Sequence, residues 1–275
     1  MTSFTLALGG GGVKGLAHIP LLKFLDTLGL KPTAIAGTSM GAIIGALYAS
    51  GLSGIEIEQR VNKHLFLRED GFRGNFRRRK HLVKWLKVFS IEKSRGGFVA
   101  ADGLFEHLFT ELVGQEFANL AIPFTAIATD FHSGKEIALN SGPLLPAVQA
   151  SMAVPGVFAP VEIGEQLLID GGLVNNVPVN QLYGKGQLLI ASDVISLSGI
   201  KQPKTTQVLS GALSILLQKL TQVEFEKFPP DFVFQPDTQE IDAFDFHKIV
   251  QVLARGEHEI SKYKNSLRAL LDANT

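Results

Sequence analysis

Ser39 stands in the run Ala36-Gly37-Thr38-Ser39-Met40-Gly41-Ala42, with apolar Pro32–Ala36 before it and the Ala, Ile and Leu of Met40–Ser50 after it. The first stretch reads as a buried strand and the second as a packed helix. A strand-to-helix turn this sharp crowds the backbone, and glycines two residues to either side relieve the clash. The turn lifts the Ser39 hydroxyl off the sheet and sets it at a helix N-terminus, where unpaired N–H groups favour developing negative charge. That is a setting for a nucleophile. The same five-residue pattern also arises by chance in a chain with 28 glycines.

A second stretch, Gly9-Gly10-Gly11-Gly12-Val13-Lys14-Gly15, follows the apolar strand expected over Thr2–Leu8 and precedes a helical pattern over Leu16–Leu28. Three readings compete for it. The bare amides of Gly10, Gly11, Gly12 and Val13 can cradle the oxyanion of a tetrahedral intermediate, because no side chain keeps them from it. Gly10, Gly12 and Gly15 also fit the glycine spacing of a dinucleotide site. That reading requires an acidic residue near the end of the second strand, which instead closes on Gly37-Thr38-Ser39. The third reading is an inert turn. In a parallel sheet the turns after successive strands emerge on one edge, so the glycine loop and Ser39 can share a crevice. A third stretch, Gln166-Leu167-Leu168-Ile169, is a strand that delivers Asp170 into Gly171-Gly172, and this Asp is either a turn former or a catalytic carboxylate.

The elements that must position these residues alternate between apolar strands and helical patterns. Further strands are expected over Ile122–Thr129, Lys135–Leu139, Gln187–Ala191 and Phe232–Gln235, and helices over Ile55–His64, Gly103–Val113, Leu144–Ala153, Thr206–Phe228 and Phe246–Leu271. The expected architecture is a three-layer α/β/α fold with a mostly parallel central sheet, one domain over residues 1–275. At 275 residues and 45% hydrophobic content the chain can bury a large core without a second domain.

Net charge is zero, which gives no whole-molecule attraction to nucleic acid. The absence of cysteine excludes disulfides and thiolate chemistry and fits a reducing compartment. With no signal-peptide pattern at the N-terminus and no uncharged apolar run of bilayer length, the expected location is the cytoplasm, or the inner face of a membrane as a peripheral protein. Metal motifs are missing, and acyl transfer through a serine requires neither metal nor cofactor.

One region breaks the neutral pattern. Between Arg68 and Arg95 ten Lys or Arg face three acidic residues, and Leu82, Trp85, Leu86 and Phe89 fall on one helical face. Residues 65–97 therefore read as a basic amphipathic insertion. Its two expectations are peripheral contact with an anionic membrane through residues 77–89, or a cap whose apolar face packs on its own protein.

Taken in order, Gly10-Gly11-Gly12-Val13-Lys14-Gly15, Gly37-Thr38-Ser39-Met40-Gly41 and Asp170-Gly171-Gly172 resemble the motifs of the patatin-like phospholipases, most of all the short bacterial members related to neuropathy target esterase. Ala150–Pro160 is similar to that family's A-S-x-A-x-P-x-x-F-x-P segment. The resemblance implies a lipid acyl hydrolase with a catalytic dyad: Ser39 as nucleophile, Asp170 as its base, the glycine loop holding the oxyanion, and Gly15, Gly37, Gly41, Gly171 and Gly172 supporting the motifs. Gly9 and Lys14 stand where the family commonly carries an acidic residue and an arginine. Two rival readings remain beside it. One is a Ser-His-Asp carboxylesterase, for which none of the seven histidines stands clearly in a loop after a late strand. The other is a lipid-binding or adaptor protein that keeps the fold without turnover.

Overall fold

The computed structural model describes residues 3–65, 112–186, 188–197 and 205–274. Apart from residue 65, the expected basic insertion and its membrane-contact stretch lie outside the described residues, as do all but the last two residues of the helix expected over Gly103–Val113.

The strands are β1 (Phe4–Leu8), β2 (Ala34–Thr38), β3 (Phe124–Asp130), β4 (Glu136–Leu139), β5 (Val161–Ile163), β6 (Gln166–Asp170), β7 (Leu188–Ser192) and β8 (Phe232–Phe234). They form one sheet in the order β5-β6-β3-β2-β1-β7-β8, with β4 paired to β3. The five strands from β3 to β8 in this order are mutually parallel, whereas β4, β5 and β6 make antiparallel pairs. The helices are α1 (His18–Thr27), α2 (Met40–Ala49), α3 (Gly54–Leu65), α4 (Leu144–Ser151), α5 (Thr205–Lys227) and α6 (Ile249–Ala273).

Alternation along β1 sets the layers. Phe4, Leu6 and Leu8 enter a large core with residues of α1, α2, α3, α4 and α6. Ala7, on the opposite face, joins Ala36, Leu189 and Ala191 beneath Val179, Phe225 near the end of α5, and Phe228 just after it. Side chains of a strand point to opposite faces in turn, so a strand buried on both sides shows no polar face, and β1 is buried at all five positions, with Thr5 its one polar residue. Helices thus cover both faces of a mostly parallel sheet, as expected.

Two local differences have physical causes. The glycine run does not enter an α-helix directly: Gly12–Ala17 is a turn of 3-10 helix, and α1 begins at His18, which leaves Pro20 in its first turn where its missing N–H costs nothing. The short edge strand β5 has a half-polar sequence, Val-Glu-Ile, and its pairing to β6 is set by the Gly164 turn rather than by an apolar run.

The sheet brings two distant segments together at one place. β2 runs parallel to β3 and ends with Thr38 beside Ile127, while β6 runs antiparallel and ends with Asp170 beside Ala128. The two strand ends arrive at neighbouring residues of β3 from opposite directions.

Candidate active site

Ser39 follows β2 and precedes α2, and among the described residues it is the one non-glycine with positive φ, at 54°. Backbone held in this region costs on the order of 1–3 kcal/mol and persists only where its surroundings enforce it. The surroundings here are close. A Cβ at Gly41 would fall 2.2 Å from the Leu8 carbonyl oxygen, one at Gly37 2.5 Å from that of Gly41, and one at Gly15 2.5 Å from Met40 Cγ. The motif glycines are therefore contact points between β1, β2, α2 and the glycine loop. Gly171 belongs with them, since its Cβ would fall 2.1 Å from the Ile127 carbonyl oxygen.

The Ser39 amide donates to Ser151 Oγ at 2.9 Å, from the last residue of α4. Ser151 is fully buried. This partner was not visible in the sequence, where Ala150–Pro160 reads as a rigid small-residue lining, and its only signal is the resemblance of that segment to a family motif.

Asp170 is nearly buried, at 7% exposure, and is fixed by its neighbours. Its amide donates to the Ala153 carbonyl at 3.0 Å, its carbonyl accepts from Thr129 Oγ1 at 2.8 Å, and its Oδ1 accepts the Gly172 amide at 2.7 Å. Burial pushes the carboxyl up to about 6, and the Ser39 side chain and the Gly172 amide restrain the rise. Oδ2 is buried and closes no hydrogen bond among the described residues. The Ser39 hydroxyl is thus within influence of the carboxyl group without a formed bond to Oδ2. A carboxylate with one oxygen anchored and the other bare, held above its ordinary range, can accept a proton near neutral pH.

The glycine loop narrows the expected cradle. The Gly10 amide donates to the Asn176 carbonyl at 3.1 Å and the Val13 amide to the Ala243 carbonyl at 2.8 Å. Both are spent within the protein. The amides of Gly11 and Gly12 meet no acceptor among the described residues, so the oxyanion reading rests on these two in place of four. Gly12 has φ 57°, and a Cβ there would lie 2.3 Å from the Ala243 carbonyl oxygen, which makes glycine obligatory. The Lys14 side chain is buried and its Nζ donates to the Ser196 carbonyl at 3.4 Å, with Asp242, Asp193 and Asp245 opposing the downward pull of burial on its pKa.

His18 holds the base of the loop. One ring nitrogen is 2.8 Å from the Gly9 carbonyl oxygen and so donates, and the other is 2.6 Å from Ser192 Oγ. Burial lowers its pKa to about 4, so the ring is neutral. No described histidine is hydrogen-bonded to Ser39. The dinucleotide reading finds no acidic side chain at the end of β2, where Thr38 Oγ1 donates to the Asn175 carbonyl at 2.9 Å. No group of His, Asp or Glu able to hold a metal ion occurs among the described residues, and no described helix is long and apolar enough to cross a membrane.

Residues 6–183 match the family model described as patatin-like phospholipase. An uncharacterized NTE family protein of Mycobacterium tuberculosis is 34% identical over 196 residues, covering 70% of this chain and 49% of that protein. The lysophospholipase nte1 of Aspergillus fumigatus is 27% identical over 210 residues, covering 76% of this chain and 13% of that protein. The chain thus spans about half the length of the mycobacterial relative and far less of the fungal one. Among solved structures, VipD from Legionella pneumophila superposes with TM-score 0.56 at 14% identity, covering 99% of this chain and 67% of that one. Human GIVD cytosolic phospholipase A2 does so with TM-score 0.54 at 10% identity, covering 99% and 62%. These two carry the fold.

Proposed function

Because the chain belongs to the patatin-like phospholipase family, we propose that it is a serine acyl hydrolase that cleaves fatty acyl esters of lipids through Ser39, Asp170 and an acyl-enzyme. The observation that supports this reading is the convergence of β2 and β6 on β3, the first leading into a backbone-strained serine and the second ending in a buried carboxyl whose Oδ2 is unpartnered among the described residues.

In this reading Ser39 Oγ attacks the ester carbonyl as its proton passes to Asp170 Oδ2. The Gly11 and Gly12 amides and the N-terminus of α2 take up the oxyanion charge. The C–O bond to the alcohol breaks, and the proton held by Asp170 leaves with the alcohol. Water then attacks the acyl carbon, gives a proton to Asp170 and releases the fatty acid as Ser39 recovers its own. A lipid substrate is supported by the surface beside the carboxylate. Leu217 of α5 packs at Gly172, next to Asp170, and the same helix exposes Leu213, Ile215, Leu216 and Leu220.

The test is labelling with an alkyl fluorophosphonate together with fatty acid release from phospholipid, lysophospholipid and simple ester panels. Labelling of the wild type that vanishes in Ser39→Ala, with hydrolysis lost in both Ser39→Ala and Asp170→Asn, is the expected result. Label that survives Ser39→Ala, or full turnover in Asp170→Asn, overturns the dyad. A folded wild type that neither labels nor hydrolyses would make the protein a lipid-binding module.

A further inference from the structure

The segment that follows Asp170 turns back and is clamped between the two loops of the site. Val174 and Asn175 amides donate to the Gly171 carbonyl at 3.1 and 2.9 Å. The Asn175 carbonyl then accepts Thr38 Oγ1 at the end of β2, and the Asn176 carbonyl accepts the Gly10 amide at the end of β1. The backbone of these two asparagines is thereby fixed against the nucleophile turn and the glycine loop together.

Their side chains differ. Asn175 Nδ2 donates to Asn180 Oδ1 at 2.8 Å and to Glu136 Oε2 at 3.1 Å. Asn176 is 1% exposed, and neither its Oδ1 nor its Nδ2 has a partner among the described residues. A buried polar group without a partner costs roughly 1–3 kcal/mol, whereas an apolar side chain of the same shape would cost nothing of the kind. Natural structures leave few such groups, and those they leave call for a ligand or a catalytic role.

The position of the carboxamide says which. A Cβ at Gly10 would fall 2.8 Å from Asn176 Oδ1 and 3.1 Å from Ser39 Cβ. A Cβ at Gly172 would fall 2.9 Å from Asp170 Oδ1 and 3.3 Å from Asn176 Oδ1. Asn176 Oδ1 is therefore close to Ser39 across the Gly10 position and close to Asp170 across the Gly172 position. Among the described residues the buried side-chain atoms without a partner are Asp170 Oδ2, Asn176 Oδ1, Asn176 Nδ2 and, one residue before, Asn175 Oδ1. Together they offer a donor and acceptors, which is what a single buried water requires.

We propose that Asn176 binds the water that hydrolyses the acyl-enzyme. The inference rests on the Ser39–Asp170 reading above. Asn176 Nδ2 donates to the water oxygen and Asp170 Oδ2 accepts one of its hydrogens. As that proton moves to Asp170, the water oxygen bonds to the acyl carbon and the oxyanion forms. Collapse breaks the bond from the acyl carbon to Ser39 Oγ, the proton on Asp170 returns to Ser39, and the free acid departs. Asn176 acts in the second half of the cycle, because in the first half the nucleophile is the serine itself.

Asn176→Leu keeps the shape and removes both polar ends. With a chromogenic short-chain ester, the first equivalent of alcohol should appear within about threefold of the wild-type rate, while steady-state turnover falls about 10- to 100-fold. Intact-protein mass at steady state should show acylated Ser39 in the variant, hydroxylamine should restore turnover by attacking without activation, and the melting temperature should equal or exceed that of the wild type. Asn176→Ala, which only shortens the side chain, should give the same kinetic split and serves if the leucine variant does not fold. Equal loss of acylation and deacylation, loss of turnover only in step with lost stability, or unchanged deacylation in both variants would each overturn the water site. These results are separable from failure of the underlying reading, in which the wild type itself forms no acyl-Ser39 and takes no fluorophosphonate.

Discussion

The Ser39 amide and the Ser151 hydroxyl, 112 positions apart, meet at 2.9 Å and tie the nucleophile turn to the end of α4. A backbone in an unfavourable conformation keeps its geometry only if its polar groups are held, and this bond holds the amide of the strained residue itself. Ser151→Ala leaves that amide buried and unpartnered at a cost of about 1–3 kcal/mol. The turn should loosen, with kcat falling about tenfold or more and KM little changed, since positioning and not substrate binding is lost. Steady-state kinetics beside denaturant unfolding would check both halves.

Strain at Ser39 separates two variants that lack the proposed nucleophile. Glycine adopts φ 54° without penalty and alanine does not. Ser39→Gly should therefore be more stable than Ser39→Ala by about 1 kcal/mol or more, read as midpoints of urea unfolding, with neither variant hydrolysing ester.

Acidity should switch the rate through Asp170. In the proposed mechanism this carboxyl must be ionised, so activity is expected to rise with a midpoint near pH 6 and to level above it. Stability runs the other way. The folded pKa lies above the unfolded value of 3.8, so the contribution of the proton is fully present below pH 3.8 and is lost as pH rises to about 6. Asp170→Asn removes that loss, and at pH 8 it should be the more stable protein by an amount on the order of 2–3 kcal/mol, using about 1.4 kcal/mol per unit. The difference should vanish near pH 3.5 in paired thermal melts.

His18 has the opposite sign. Its folded pKa of about 4 lies below the ordinary 6.5, so its contribution is complete above pH 6.5 and is lost as pH falls toward 4. His18→Ala should flatten that acid limb of the stability curve. It should also lower kcat at neutral pH, because the Gly9 carbonyl at the root of the glycine loop loses its donor.

Two glycines of the same chain should respond in opposite directions to alanine. Gly41→Ala places a methyl 2.2 Å from the Leu8 carbonyl oxygen, where only backbone can move, and should cost several kcal/mol or prevent folding. Gly211, inside α5, has nothing within 4 Å of its Cβ position, and Gly211→Ala should stabilise by about 0.5–1 kcal/mol. Circular dichroism melts of the two variants against wild type are sufficient.

Much of this site is legible in residue types. Ser39 between its glycines, the glycine loop after β1 and Asp170 at the end of β6 are each marked by side chains that local geometry demands, and the strands carrying them are apolar enough to find. What could not be read is pairing between distant segments. Gly10 and Val13 donate to carbonyls of Asn176 and Ala243, and a carbonyl belongs to every residue, so no residue type announced that two of the four loop amides were already engaged. Ser151 and Asn176 look like members of small-residue turns until the sheet brings them to Ser39 and Asp170. β5 carries no such mark, because three half-polar residues have no period.

The converging ends of β2 and β6 on β3 bear on how the protein comes into being. Ser39 is synthesised early, but the carboxyl group and the asparagine strap that complete its surroundings emerge more than a hundred residues later. Contacts of such long sequence separation form late and slowly in folding. A growing or truncated chain therefore carries the serine without that carboxyl group, and in the proposed mechanism the capacity to cut lipid arises only on closure of the finished sheet.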